Sequence, residues 1–357
     1  LTALKGLIAA SVAMPEHAAF LPRALKFLTP ELDRQILPDG CHIERSPAAH
    51  LAALQDLVEI RSLLQAGKAE APAGLTPAIE RLALALRALR HGDGGLALFN
   101  GSKEDLPSLI DLVLSQAGRT AKTPAMLGAS GMFRLAAGKT LVIADAGAPA
   151  AAGLDRFAHA GTCAFEVSVG KERLIVNCGA APAASLAWRD ALRATAAHST
   201  LTIADVASAE LRETGLGRRP LEVTAERHEA TGAHWLEMSH DGWGKLFGAR
   251  HRRRLYLSES GDDLRGEDAI DASEPQPFII RFHLHPSVTA SLQTDNGAVL
   301  LRLPSGQGFR LRADQGVLSI EETVYFGGTE PRRAEQVVIT GHQDGPQQIK
   351  WAITKLG

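Results

Sequence analysis

The stretch FAHAGTCAFEVSVGKERLIVNCG, residues 157–179, followed by WRDALRATAAHSTLTI, residues 188–203, decides how the rest of the chain is read. Apolar and polar residues alternate from Ala164 to Val169, Gly170-Lys171 has turn chemistry, and Leu174 to Val176 is apolar again. That is the pattern of a β-hairpin. With a two-residue turn, Asn177 lies opposite Ala164 and Cys163 opposite Cys178. His159 then precedes the first strand, Asn177 closes the second, and His198 precedes a further strand, Ser199–Ile203. Adjacent strands bring distant residues side by side, so two imidazoles and an amide oxygen are expected to meet at one rim.

Outward from this hairpin the chain changes period. Before it, apolar residues recur at three- and four-residue spacing in Ala3–Ala13, Pro22–Leu28, Ala48–Ala66, Pro77–Leu89 and Leu106–Ala117, which reads as helices. Ser46-Pro47 supplies an N-cap and a first-turn proline, and Gly67 a stop. From Ala125 onward, short alternating runs are separated by Gly, Asn, Asp or Pro, as in Met132–Leu135, Thr140–Ile143, Leu221–Glu226, Trp235–Met238, Arg252–Leu257, Phe278–His283 and Gln336–Ile339. Many strands with little helix argue for antiparallel sheets packed as a sandwich. The expected fold is α+β, with a helical domain over 1–122 and a β-sandwich over 123–357, the boundary falling at Thr120–Pro124. A hydrophobic share of 45% and a charged share of 22% suit a large packed core, and a formal net charge of −2 argues against bulk capture of nucleic acid. No run approaches the roughly 18 apolar residues of a membrane span. Three cysteines leave an odd count; Cys163 and Cys178 either pair across the hairpin or are small buried residues.

The segments AHAGTCAFEV (158–167), IVNCG (175–179) and TAAHST (195–200), with HDGW (240–243), HRRRLYL (251–257), RFHLHP (281–286) and EQVVITG (335–341), carry a family likeness in their order and spacing. From about Pro38 onward the chain resembles the heparinase II/III-like polysaccharide lyases. The resemblance implies the end of an (α/α) toroid joined to a large sandwich, with an acidic polysaccharide or oligosaccharide bound in the cleft between them. It also implies a periplasmic or secreted setting, and a start at Leu1 inside a longer helical domain.

A lyase acting on a uronate must neutralise the carboxylate, take the proton beside it, and protonate the departing oxygen. Histidine suits the base because its ordinary pKa lies near working pH. The family's Glu-x-Ser-Pro-x-Tyr-His segment corresponds to DGCHIERSPAAH (39–50): Glu44, Ser46, Pro47 and His50 match, but Ala49 stands where the tyrosine acid is expected. His42, His50, His198 and His240 are the candidate catalytic residues; Glu44, Arg45, Asn100, Trp243 and Arg252 are the candidate substrate contacts. The resemblance further implies zinc at His159, Asn177 and His198, although Asn177 replaces an aspartate, Gly161 another aspartate, and Phe157 a histidine. A neutral amide oxygen is a poor zinc ligand, so the plainer reading is a hydrogen-bonded His–Asn–His cluster. Likewise HDGW reads either as a segment that carries His240 and Trp243 over a cleft or as a turn built on Asp241-Gly242, Arg252–Arg254 as either an anion site or a solvent face, and His283 with His285 as one face of a strand. Two functions compete: β-elimination on an acidic polysaccharide, and a non-catalytic glycan-binding or envelope-structural protein on the same fold. A hydrolase would need paired carboxylates, for which Glu44 and Asp241 are the candidates.

Overall fold

Ser46 opens the longest helix as its chemistry dictates. Its backbone is extended, its hydroxyl accepts from the Ala49 N–H, and Pro47 occupies the first turn of Pro47–Ala66. In this computed structural model, which describes residues 1–357 except 119–121, 182–184, 273, 294–296 and 344–346, four further helices join it in the first third of the chain. They are Thr2–Ala13, Leu21–Gln35, Leu75–Ala88 and Pro107–Ala117. The second outruns its expected end at Leu28 because it takes Pro30 into its interior, and the stripe Ala24, Leu28, Leu32 stays buried. Tertiary burial of that stripe outweighs the local cost of the proline. Gly67 does end its helix, but not through a left-handed turn: its φ is −77°, and Lys68 takes the positive φ of 53°. Glycine is required there by closeness, since a Cβ would lie 2.8 Å from Val12 Cγ1.

Beyond Pro124 strand is the main regular element, arranged in two large antiparallel sheets and a small ribbon of Leu211–Arg212 with Gly215–Leu216. The inner sheet runs, in spatial order, Met126–Leu127, Met132–Ala137, Thr140–Asp145, Ala164–Val169, Glu172–Val176, Gln276–Leu284, Arg332–Gln343 and Val317–Tyr325, with Leu201–Ile203 also pairing to Gln276–Leu284. The outer sheet runs Thr289–Gln293, Ala298–Arg302, Gly308–Ala313, Gln347–Lys355, Asp263–Asp271, Ala249–Leu257, Ala233–Trp243 and Val223–Ala230. Between them lies the main core, where the Phe165 ring stacks on Trp351 at 5.6 Å. The helical layer covers the other side of the inner sheet through Cys41, Leu89, Phe99, Leu127, Leu141 and Ile143. Thr140–Asp145 is therefore buried at every position, because helices meet one face and the sandwich core the other. Polar ties cross this seam: Arg45 pairs with Asp145, His91 Nε2 lies 2.9 Å from Glu166 and Arg173 Nε 2.7 Å from Asp93. The α+β reading therefore describes the molecule, while Thr120, within the expected boundary, lies outside the described residues.

Several expectations need correction. The hairpin keeps its two-residue turn, with Val169 facing Glu172, but a bulge at Leu174 sets Val167 opposite Ile175. Asn177 thus never comes opposite Ala164, nor Cys178 opposite Cys163. All three cysteines are free and buried: Cys41 in the helix–sheet seam, Cys163 between the sheets, Cys178 against Leu192 and Phe326. Asp263–Asp271 and Thr289–Gln293 are strands that alternation did not reveal, and Leu186–Arg193 is a helix within the region read as sheet. Asp241-Gly242 is not a hairpin turn but a bulge near the end of Ala233–Trp243.

Candidate functional site

The rim residues His159 and His198 do meet. His159 follows the Phe157–Ala158 segment, His198 follows the short 3-10 turn Thr195–Ala197, and their rings stand nearly perpendicular with centroids 5.1 Å apart. His198 Nδ1 lies 2.8 Å from the Ala194 carbonyl, which accepts only, so this nitrogen carries the proton. His198 Nε2 is then an acceptor, and His159 Nδ1, 3.0 Å away, donates to it. The remaining nitrogen, His159 Nε2, is unprotonated. Burial first, then His198 and Arg193, holds His159 well below the ordinary imidazole range, so the pair is neutral near pH 7.

His159 is set in place from the helical side. Its backbone N–H donates to Asn100 Oδ1 at 3.2 Å, and Asn100 Nδ2 donates to the Arg45 carbonyl and to Asp145 Oδ2, each at 3.1 Å. Asp145 in turn binds Arg45, whose Nε donates to the Ser130 carbonyl at 2.6 Å. Arg45 and Asn100 are therefore buried supports of the imidazole pair. Beside His159 opens a pocket of about 280 Å³, lined by Gly101, Arg156, Phe157, Arg189, Leu192 and Arg193 among others. A Cβ on Gly101 would lie 3.9 Å from His159 Nε2, so this nitrogen faces the Gly101 wall. Phe157 is 52% exposed, and the Arg156 guanidinium lies 5.5 Å from its ring centroid. Among the described residues Arg189 pairs with its neighbour Asp190, whereas Arg193 is buried and donates to the carbonyls of Ala158, Arg212 and Gly215. A neutral acceptor, an aromatic face and two available guanidiniums suit an anionic, hydroxylated ligand.

The other expected residues lie elsewhere. Asn177 is sealed: its Oδ1 accepts from the Ser199 N–H at 2.9 Å and its Nδ2 donates to Glu166 Oε1 at 3.2 Å. A zinc at His159, Asn177 and His198 therefore does not fit: the amide is spent, and the two facing imidazole nitrogens share a proton. His50 is fully buried, with Nε2 2.7 Å from the Leu82 carbonyl and Nδ1 accepting from the His42 N–H. His42 faces Gln35 at 3.4 Å, and burial lowers both imidazoles to about 4. His240 and Trp243 point into the sandwich, not over a cleft, and Trp243 Nε1 donates to the Val206 carbonyl. Arg252 projects to solvent from the outer sheet, 4.0 Å from Glu237. Its neighbour Arg253 is fully buried on Asp268, so the arginine run alternates faces. Glu44 is half-buried, and burial raises its carboxyl above the usual range. Asp241 Oδ1 accepts from the Leu221 and Glu222 N–H groups and forms no pair with Glu44. His283 is buried against Thr323 and the Ala196 carbonyl, while His285, beyond the strand, faces Glu104.

Sequence reading missed Arg156, Arg189 and Asp145; the first two follow no motif, and only the arginine content of a loop and helix flanking His159 and His198 could have flagged them. It also missed a buried cluster, Cys163, His240 and His251, whose ligand atoms lie within 4.8 Å of one another and could coordinate a metal ion. Asp268 holds His251 Nε2 at 2.7 Å, leaving Nδ1 for this cluster.

A helical layer packed on a two-sheet antiparallel sandwich thus carries a polar rim site at its seam. The chain belongs to the heparinase II/III family: residues 119–352 match the model "Heparinase II/III-like, C-terminal" and residues 1–116 the "Heparinase II/III N-terminus". Among solved structures it resembles heparinase III (TM-score 0.82, 16% identity, 99% of this chain and 60% of that one). It also resembles heparan sulfate lyase HepC from Pedobacter heparinus (TM-score 0.78, 16% identity, 99% of this chain and 59% of that one). A nearer sequence relative is FtsZ-localized protein C of Caulobacter vibrioides, 36% identical over 354 residues, covering 93% of this chain and 61% of that protein. The chain thus spans about three-fifths of the length of these relatives.

Proposed function

We propose that the chain is a non-cleaving member of the family that binds an acidic saccharide in the pocket beside His159. The observation that carries this reading is the loss of the proton donor: Ala49 stands where the tyrosine is expected, and His50, His198 and His240 are each enclosed in hydrogen bonds or packing. Arg156 and Arg189 would neutralise the ligand's carboxylate, and Phe157 would stack on a sugar ring. An envelope glycan as ligand implies the periplasm or the cell exterior. The test is incubation with uronate oligosaccharides, following both binding and the absorbance of an unsaturated C4–C5 product. Binding without product is expected; product that vanishes in His159→Leu would establish a lyase instead.

The 36% relative favours a second reading, in which the scaffold serves a protein localised with FtsZ. A fluorescent fusion that forms an FtsZ-dependent band, together with co-sedimentation of the purified chain with FtsZ polymer, would support it. Diffuse fluorescence and no co-sedimentation would remove it.

A further inference from the structure

The two imidazoles at the rim have two possible proton inventories, and these make opposite demands on a ligand. Were a zinc ion held between them, His159 Nδ1 and His198 Nε2 would both be bare, and neutral His159 would carry its proton on Nε2, facing the pocket as a donor. In the structure the two nitrogens instead share one hydrogen bond at 3.0 Å, and the Ala194 carbonyl fixes its direction. Reversing it would leave His198 Nδ1 bare against that carbonyl, lone pair to lone pair at 2.8 Å. A third ligand is missing among the described residues, because Asn177 is committed to Ser199 and Glu166.

We infer that the place where the family's zinc would be held has become a metal-free imidazole pair, which turns one bare nitrogen, His159 Nε2, toward the pocket as an acceptor. The inference rests on the saccharide-binding reading for its ligand, but not for its proton placement. The acceptor sits beside Arg156 and Arg189, so the matching ligand carries a hydroxyl donor close to an anionic group, as a uronate unit does. A ligand offering only acceptors at that point, such as one whose hydroxyls are methylated, is excluded. His159 acts as a positioning acceptor, held by Asn100 through its backbone and by His198 through its ring.

Two measurements on the whole chain test this. The first is imidazole nitrogen NMR of histidine-labelled protein, with and without zinc chloride and then a chelator. The expected result is a proton on Nδ1 of both His159 and His198, unchanged by zinc; a proton on His159 Nε2, or a zinc complex that shifts both rings, overturns the inference. The second compares binding of an oligogalacturonate to wild type, His159→Gln and His159→Leu. A glutamine can donate through its amide N–H to His198 and present its oxygen to the pocket, so it should bind within about threefold of wild type, whereas leucine should lose about tenfold or more. Leucine binding as tightly as wild type overturns the acceptor role. If wild type binds no oligogalacturonate, the saccharide reading fails while the NMR experiment still decides the proton placement. That experiment needs no variant, so it stands even if the leucine protein does not fold.

Discussion

Asn177 shows what one substitution does when its neighbours are already committed. Its amide bridges the Ser199 N–H and Glu166 Oε1, and an aspartate there would set a second carboxylate 3.2 Å from the first with no ion between. Asn177→Asp should therefore lower stability by about 1–3 kcal/mol rather than create a metal site, as read by urea unfolding with and without zinc. Arg253 makes the same point inside the sandwich. It is fully buried on Asp268, which also accepts from Trp351, and Asp268 is held far below the carboxylate range even though burial alone would raise it. Arg253→Met should cost about 3–5 kcal/mol because a buried charge is left unpaired, while Arg252→Ala should stay within about 0.5 kcal/mol. Side-chain identity was legible at these positions, and side-chain direction was not. Nothing local distinguishes Arg252 from Arg253; His240 lies inside because it continues the alternation of Leu236 and Met238, and the bulge at Asp241-Gly242 then brings Trp243 to the same face.

At the scale of elements, signals confined to a few residues were legible. The Ser46 cap, the Pro47 start and the Gly170-Lys171 turn each depend on backbone chemistry within four residues, and each is present. Elements whose logic is tertiary were missed. Asp263–Asp271 places Leu264, Gly266, Asp268 and Ile270 inward, and two of those four carry no hydrophobic signal. Its inward aspartate is explained by Arg253 on the neighbouring strand, and its glycine by the Trp351 ring, which a Cβ would meet at 2.0 Å. Gly67 offers a test of packing against helix propensity. Alanine should favour the helix slightly, yet the 2.8 Å approach to Val12 should make Gly67→Ala destabilising by about 1–3 kcal/mol. Adding Val12→Ala should recover most of that loss in a double-mutant cycle, and additive effects would show that the contact is not the cause.

Across the whole molecule, the helices and the sandwich share so many polar ties that acid should loosen them together. His42 and His50 are lowered to about 4 and His283 to about 3, in each case mainly by burial. These imidazoles are neutral when folded, whereas the unfolded chain protonates them near pH 6.5. Between those values the unfolded state binds more protons, so stability is lost as pH falls from about 6.5 toward 4, by up to about 1.4 kcal/mol per pH unit for each group. Unfolding midpoints measured from pH 8 to 4 should fall along that window, and a flat profile would show that these imidazoles are hydrated in the folded chain. The division into helices followed by sheets was plain from hydrophobic period alone, but the polar ties were not, since His91–Glu166 and Arg45–Asp145 join residues 75 and 100 positions apart. The three sealed thiols give this architecture an internal gauge. Cys41 lies in the seam under the helices, Cys163 between the sheets and Cys178 behind the small helix near Phe326, so the rate at which each becomes alkylated in native buffer reports the opening of a different joint.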